Sequence, residues 1–147
     1  MVYQLAQINI GRARAEMNDP VMHGFMSNLA QINALAEHSP GFIWRLQSEA
    51  GNAKALRYFD DPLIIVNMSV WESVEVLKEL TYDQVSFFKQ RGLWFEAFEK
   101  PYLALWWILK DHRPTIAETK AKLDLLEHHG PTPEAFTFSK VFPQPET

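Results

Sequence analysis

From Tyr102 to Leu109 the chain reads YLALWWIL, an uninterrupted apolar run with Pro101 before it and Lys110-Asp111-His112 after it. A run this short and bounded by breakers fits a β-strand better than a helix. A strand with no polar alternation has to be covered on both faces. Helices on one side of a sheet are therefore not enough, and something else must cover the other side.

The segment just upstream reads as a helix feeding into that strand. Asp83 can cap it, Phe88, Phe95 and Phe98 fall at helical spacing, Phe87 and Trp94 widen the face, and Lys100-Pro101 ends it. Earlier in the chain, Tyr3, Leu5, Gln7 and Asn9 alternate with Gln4, Ala6, Ile8 and Ile10 as a first strand closed by Gly11. Asp19 then caps a helix with Pro20 at its first position, and Met22, Phe25, Met26, Leu29, Ile32 and Ala36 line one face. Ser39-Pro40-Gly41 stops it.

Phe42 to Ser48 follows as a second strand, then the polar segment Glu49 to Lys54 and a link through Asp60-Asp61-Pro62. Leu63 to Trp71 is the third strand. Ser73 caps a short helix, Val74 to Leu80, that breaks near Thr81-Tyr82. After the last strand, Thr115-Ile116-Ala117-Glu118 has the form of a capping box, and its helix runs through Leu123 and Leu126 to Gly130-Pro131. Phe136-Thr137-Phe138 alternates as a further edge strand.

This order, β-α-β-β-α-β with an extra C-terminal helix and tail, predicts an α+β, ferredoxin-like protomer. One domain spans 1–147, with its core over 3–109 and the helix and tail over 114–142. A four-stranded sheet with helices on one face leaves the other bare, and Tyr102 to Leu109 and Leu63 to Val66 are too apolar to stay wet. The expected solution is a homodimer in which two sheets pack face to face.

Several classes fall away on composition. A length of 147 residues fits the prior of roughly 100–200 residues for one domain. There is no cysteine, hence no disulfide, thiolate metal site or cysteine nucleophile. A formal charge of -4 without a Lys/Arg cluster argues against nucleic acid. No apolar run approaches the roughly 20 residues of a membrane helix, and MVYQLAQINIGRAR lacks the order of a signal peptide. The expectation is a cytoplasmic protein.

Ser39-Pro40-Gly41-Phe42, Ser69-Val70-Trp71-Glu72-Ser73, Trp94-Phe95, Leu105-Trp106-Trp107, Pro114-Thr115 with Glu118, and Gly130-Pro131-Thr132-Pro133 with Ala135-Phe136-Thr137-Phe138 resemble an uncharacterised bacterial domain family. That family is placed in the dimeric alpha-beta barrel superfamily, near the antibiotic biosynthesis monooxygenases. The resemblance implies the βαββαβ fold and the sheet-to-sheet dimer. The wider superfamily includes cofactor-independent oxygenases, haem proteins and stress-response dimers. Its haem users generally place a histidine on a helix beside the pocket, and members of the nearer family often carry one soon after the Tyr82 position. Here that turn is Asp83-Gln84-Val85-Ser86. No cofactor is expected, with haem left open.

Arg91 shares a helix face with phenylalanines. Either its stem packs while the guanidinium reaches solvent or pairs with Glu72 or Asp83, or it anchors an anion in an apolar pocket. Arg45, between Trp44 and Leu46, carries the same ambiguity. Trp44, Trp71, Trp94, Trp106 and Trp107 serve the core and dimer interface, or hold a flat aromatic or polyketide-like ligand between sheet and helices. Tyr82 sits at the expected helix break. His112, in a loop after the last strand, is the best single candidate for proton transfer. The leading expectation is a pocket for a small apolar or aromatic molecule, lined by Trp44, Arg45, Asn67, Trp71, Tyr82, Arg91, Trp94 and Trp106. The alternatives are a cofactor-independent monooxygenase, in which Arg91, Asn67 or His112 promotes deprotonation of the substrate, and a non-catalytic stress-response or interaction dimer.

Overall fold

The computed structural model describes residues 2–15, 19–46, 64–83 and 103–145, with the backbone alone at 25–32, 64–65 and 80–83. The described elements are β1 (Tyr3–Arg12), a 3-10 turn (Pro20–Met22), α1 (His23–His38), β2 (Phe42–Arg45), β3 (Ile64–Trp71), α2 (Val74–Asp83), β4 (Leu103–Leu109) and α3 (Ile116–His129). The four strands form one antiparallel sheet in the order β2-β3-β1-β4. This is an α+β architecture consistent with a ferredoxin-like fold. The expected aromatic helix, with Phe88, Trp94 and Phe95, lies outside the described residues. No described helix is long and apolar enough to cross a membrane.

Because side chains alternate across a strand, the register sorts the sheet into rows. One face carries the row Trp44–Val70–Ala6–Trp106, then Met68–Ile8–Ala104, then Val66–Ile10. We call this the apolar face. The other, mixed face carries Phe42–Trp71–Leu5–Trp107, then Arg45–Ser69–Gln7–Leu105, then Asn67–Asn9–Leu103.

Each face is already covered in part within one chain. On the apolar face Leu123 and Leu126 of α3 join Ala6, Ile8, Met68, Val70 and Trp106 in one buried cluster. On the mixed face Ala36 of α1, Val74 and Leu77 of α2 and Phe136 of the tail pack with Leu5, Trp71 and Leu105. This corrects the expectation of a wholly bare face: the C-terminal helix and tail supply cover that was assigned to a second subunit. Among the described residues the far end of the mixed face is the less covered, with Asn67 exposed and Asn9 and Leu103 half-buried.

The turns follow local chemistry. The Asp19 carboxylate accepts from the Val21 N–H at 2.9 Å, with Pro20 opening the 3-10 turn before α1. Ser39 ends α1, and Gly41 takes φ +86°, where a Cβ would meet Val76 Cγ1 at 2.7 Å. Helix α2 runs on through Thr81 and Tyr82 to Asp83, so the expected break at Thr81-Tyr82 is absent. Neither residue lacks an N–H or needs positive φ, so nothing there forces a stop. The second strand, expected to reach Ser48, is regular only to Arg45, although the Leu46 N–H still donates to the Met68 carbonyl at 2.9 Å. The tail pairs with β4 through a single bridge rather than a strand: Leu105 N–H donates to Phe136 O at 2.8 Å and Phe136 N–H to Leu105 O at 2.9 Å. The Trp107 indole then donates to the Phe142 carbonyl at 3.0 Å and ties the tail down further along.

Candidate functional site

An open surface cavity of about 370 Å³ runs along the edge strand β2 beside the last turn of α1, lined by Glu37, Phe42, Ile43, Trp44 and Arg45. Three local features shape it. Gly41 permits the sharp turn from α1 into β2. The pairing of β2 with β3 shifts register between Phe42 and Trp44, and such a bulge re-aims the side chains on either side of it. The turn also brings Glu37 back over β2, so that Arg45 Nε donates to Glu37 Oε1 at 2.6 Å. The pair is partly open, with side-chain exposures of 27% for Arg45 and 37% for Glu37. A guanidinium carries five N–H donors. Among the described residues, Glu37 engages the Nε donor alone.

Behind the cavity stands a hydrogen-bonded row on the mixed face. The Phe42 ring meets the Trp71 ring edge-on with centroids 5.3 Å apart. The Trp71 indole donates to Ser69 Oγ at 2.7 Å, and Gln7 Nε2 donates both to the same Oγ at 2.8 Å and to Asn67 Oδ1 at 2.7 Å. Trp71, Ser69 and Gln7 are all buried. Ser69 Oγ thus accepts twice, which leaves its own hydrogen as a donor, and Gln7 spends both amide hydrogens. The row has a fixed direction, and it holds Trp71, and through it Phe42, in one orientation.

A second constellation gathers at the start of α3. Asp111 takes φ +73°, a conformation that Asp tolerates better than most residues, and the His112 N–H closes the turn on the Leu109 carbonyl at 3.0 Å. His112 is thereby turned onto α3, where its Nε2 lies 2.7 Å from Glu118 Oε1. The other carboxylate oxygen, Oε2, accepts from the buried Trp106 indole at 2.8 Å. Next in the chain, the Arg113 guanidinium lies 5.9 Å from the centre of the Trp44 ring. A histidine oriented by a carboxylate that is itself held by an indole can accept and release protons at its outer nitrogen.

The structure therefore divides the sequence candidates between two faces. Trp44 and Trp106 share a row of the apolar face, with His112 brought to Trp106 through Glu118. Arg45, Asn67 and Trp71 lie on the mixed face, where Asn67 and Trp71 join through Ser69 and Gln7. Asn67 and His112 are thus on opposite sides of the sheet. The Tyr82 side chain, Arg91 and Trp94 lie outside the described residues. His112 is not alone in its loop, since Glu118 meets it. Sequence reasoning missed Glu37, Phe42, Gln7 and Ser69 as participants and took Glu118 for a capping residue only. The one available signal was a glutamine and a serine at inward positions of otherwise apolar strands. Among the described residues no group of three or more His, Asp or Glu is placed to hold a metal ion.

The chain is similar to the crystal structure of a "putative Antibiotic biosynthesis monooxygenase" from Chloroflexus aurantiacus J-10-fl, at 16% identity and a TM-score of 0.43, over 77% of this chain and 98% of that one. A search among curated proteins finds no match. The domain of unknown function DUF3291 matches residues 4–147, and on that match the chain belongs to the DUF3291 family.

Proposed function

We propose that the protein binds a small, largely apolar or aromatic molecule in the cavity along β2 beside α1. The observation that carries this reading is the cavity itself: about 370 Å³ with Phe42, Ile43 and Trp44 on its walls and a partly exposed Arg45–Glu37 pair at its rim. That volume falls within the roughly 300–1,000 Å³ typical of small-molecule sites, and the lining is mixed, with Phe42, Ile43 and Trp44 beside the charged Arg45–Glu37 pair. The directed row from Asn67 to Trp71 supports it, because an aromatic wall locked from behind costs little further ordering on binding. The test is calorimetry against a panel of one- and two-ring aromatics. We expect saturable binding that Phe42→Ala weakens and Leu109→Ala, at an exposed position on the far edge of the sheet, leaves unchanged. No saturable heat across the panel at millimolar ligand rejects the reading.

A second reading rests on a separate observation, the His112–Glu118–Trp106 chain. In it the protein is a cofactor-independent monooxygenase, and His112 takes the proton of an electron-rich phenol or quinol before oxygen reacts. Asn67 cannot assist His112 on the same ring within one protomer, since the sheet lies between them. Oxygen uptake that needs no added cofactor and drops in His112→Gln supports it; absence of uptake over a broad phenol and quinol panel counts against it.

We further infer a homodimer of the dimeric alpha-beta barrel kind, with the far end of the mixed face around Asn9, Asn67 and Leu103 against a second copy. Half-buried Leu103 beside two amides suits a partner surface better than bulk water. Sedimentation at micromolar concentration should give twice the 17.0 kDa chain mass, and a species of single mass alone overturns it.

A further inference from the structure

We propose that Arg45 makes the cavity selective for a carboxylate, so that its ligand is a planar aromatic acid with the ring against Phe42, on the same face of β2 as Arg45, and the acid group on the outer edge of the guanidinium. This rests on the reading of the cavity as a ligand site and goes beyond it by naming the chemistry of the ligand.

Glu37 holds Arg45 at a single donor. A carboxylate that only neutralised the arginine would do so best by facing it with two parallel hydrogen bonds. Glu37 instead engages Nε through one oxygen, Oε1, at 2.6 Å. Nε belongs to the inner edge of the fork. The terminal nitrogens, Nη1 and Nη2, present a second edge with two parallel N–H groups, which matches a carboxylate and matches a neutral oxygen far less well. Among the described residues nothing occupies that edge.

The position of the arginine adds to this. Arg45 is paired with Ser69 across β2 and β3, and its side chain is 27% exposed, so the group is neither buried and neutralised nor free in water. A charge at such a boundary interacts more strongly than one in bulk solvent. Glu37 fixes the guanidinium plane from the helix side, which removes much of the rotamer freedom a long side chain gives up on binding. Glu37 opposes a second anion, and its charge sets an upper limit on affinity.

The test uses the intact chain with 2-naphthoate and its neutral isostere 2-naphthamide, titrated by calorimetry into the wild type, Arg45→Gln and Glu37→Gln. Charge-assisted bonds should make the naphthoate bind about tenfold more tightly than the amide in the wild type. Arg45→Gln should erase that difference while leaving amide affinity within about twofold, and Glu37→Gln should tighten the naphthoate by roughly twofold or more as the competing anion is lost. Urea midpoints of both variants, read beside the titrations, show that each is folded; Arg45→Lys, which keeps the charge but not the fork, should recover only part of the preference. Equal affinities for the two probes, or a naphthoate affinity unmoved by a folded Arg45→Gln, overturn the carboxylate proposal and leave the cavity reading standing. If neither probe binds any form, both fall.

Discussion

The two faces of the sheet are built from the same strands by alternate residues, yet they are made to different rules. On the apolar face Val70 and Ala6 separate Trp44 from Trp106, large against small, and α3 closes over the rows with Leu123 and Leu126. Such a surface is held by packing, and little in it fixes an orientation apart from the indole bond to Glu118. On the mixed face the middle row is Arg45–Ser69–Gln7–Leu105, and its order comes from hydrogen bonds of set direction. The first face tolerates a change of partner as long as volume is kept. The second tolerates little change of chemistry, because each buried donor in it counts on one particular acceptor.

The sharpest test of this difference is to remove bulk from the apolar face. Trp106 is fully buried, and Trp106→Ala should cost about 3–5 kcal/mol in urea-induced unfolding. A cost below about 1.5 kcal/mol, the level of a conservative swap, means that α3 is not pinned to the sheet as described. On the mixed face the matching experiment removes almost no volume. Ser69→Ala leaves the buried donors Trp71 Nε1 and Gln7 Nε2 without their shared acceptor, at about 1–3 kcal/mol. It should also shift the Trp71 indole N–H signal in the proton spectrum. If stability and that signal are both unchanged, the mixed face is held by packing just as the apolar face is.

How much of this the sequence displayed depends on the distance over which each feature is decided. Ser39 with Gly41, Thr115 and Gly130 mark their turns by chemistry within a few residues and stand where the pattern put them, whereas Asp19 with Pro20 opens a 3-10 turn and α1 itself begins only at His23. The β4 run demanded two covers, and two covers exist. Which segment supplies each was not legible, since α3 and the tail carry no mark of the face they join. The Gln7–Ser69 bond spans 62 positions, and the Arg45–Glu37 pair forms because a positive-φ glycine folds β2 back under α1. Residue spacing alone encodes neither. Thr81-Tyr82 was expected to break the helix, yet neither residue has the missing N–H of proline or the positive-φ preference of glycine that commonly stops one.

Glu118 shows how one residue can be legible and still be misread, and it provides the smallest expected effect. In a full capping box the Thr115 side chain binds the N–H of Glu118 and the glutamate returns to the N–H of Thr115. The first half is present, with Glu118 N–H donating to Thr115 Oγ1 at 3.1 Å. The second is replaced, because the two carboxylate oxygens go to Trp106 and His112. Thr115→Ala should therefore show the ordinary loss of an N-cap, about 1 kcal/mol. Glu118→Gln keeps an acceptor for the Trp106 indole and removes only the charge facing a half-exposed histidine, so its cost should stay below about 0.5 kcal/mol, as for surface changes generally. The readout that separates the two is spectroscopic. Glu118→Gln should move the Trp106 indole N–H and the His112 ring signals together, whereas Thr115→Ala should leave both in place. If Glu118→Gln instead destabilises the helix as much as Thr115→Ala and moves neither signal, the glutamate is a cap after all, and the link from the apolar face to His112 does not exist.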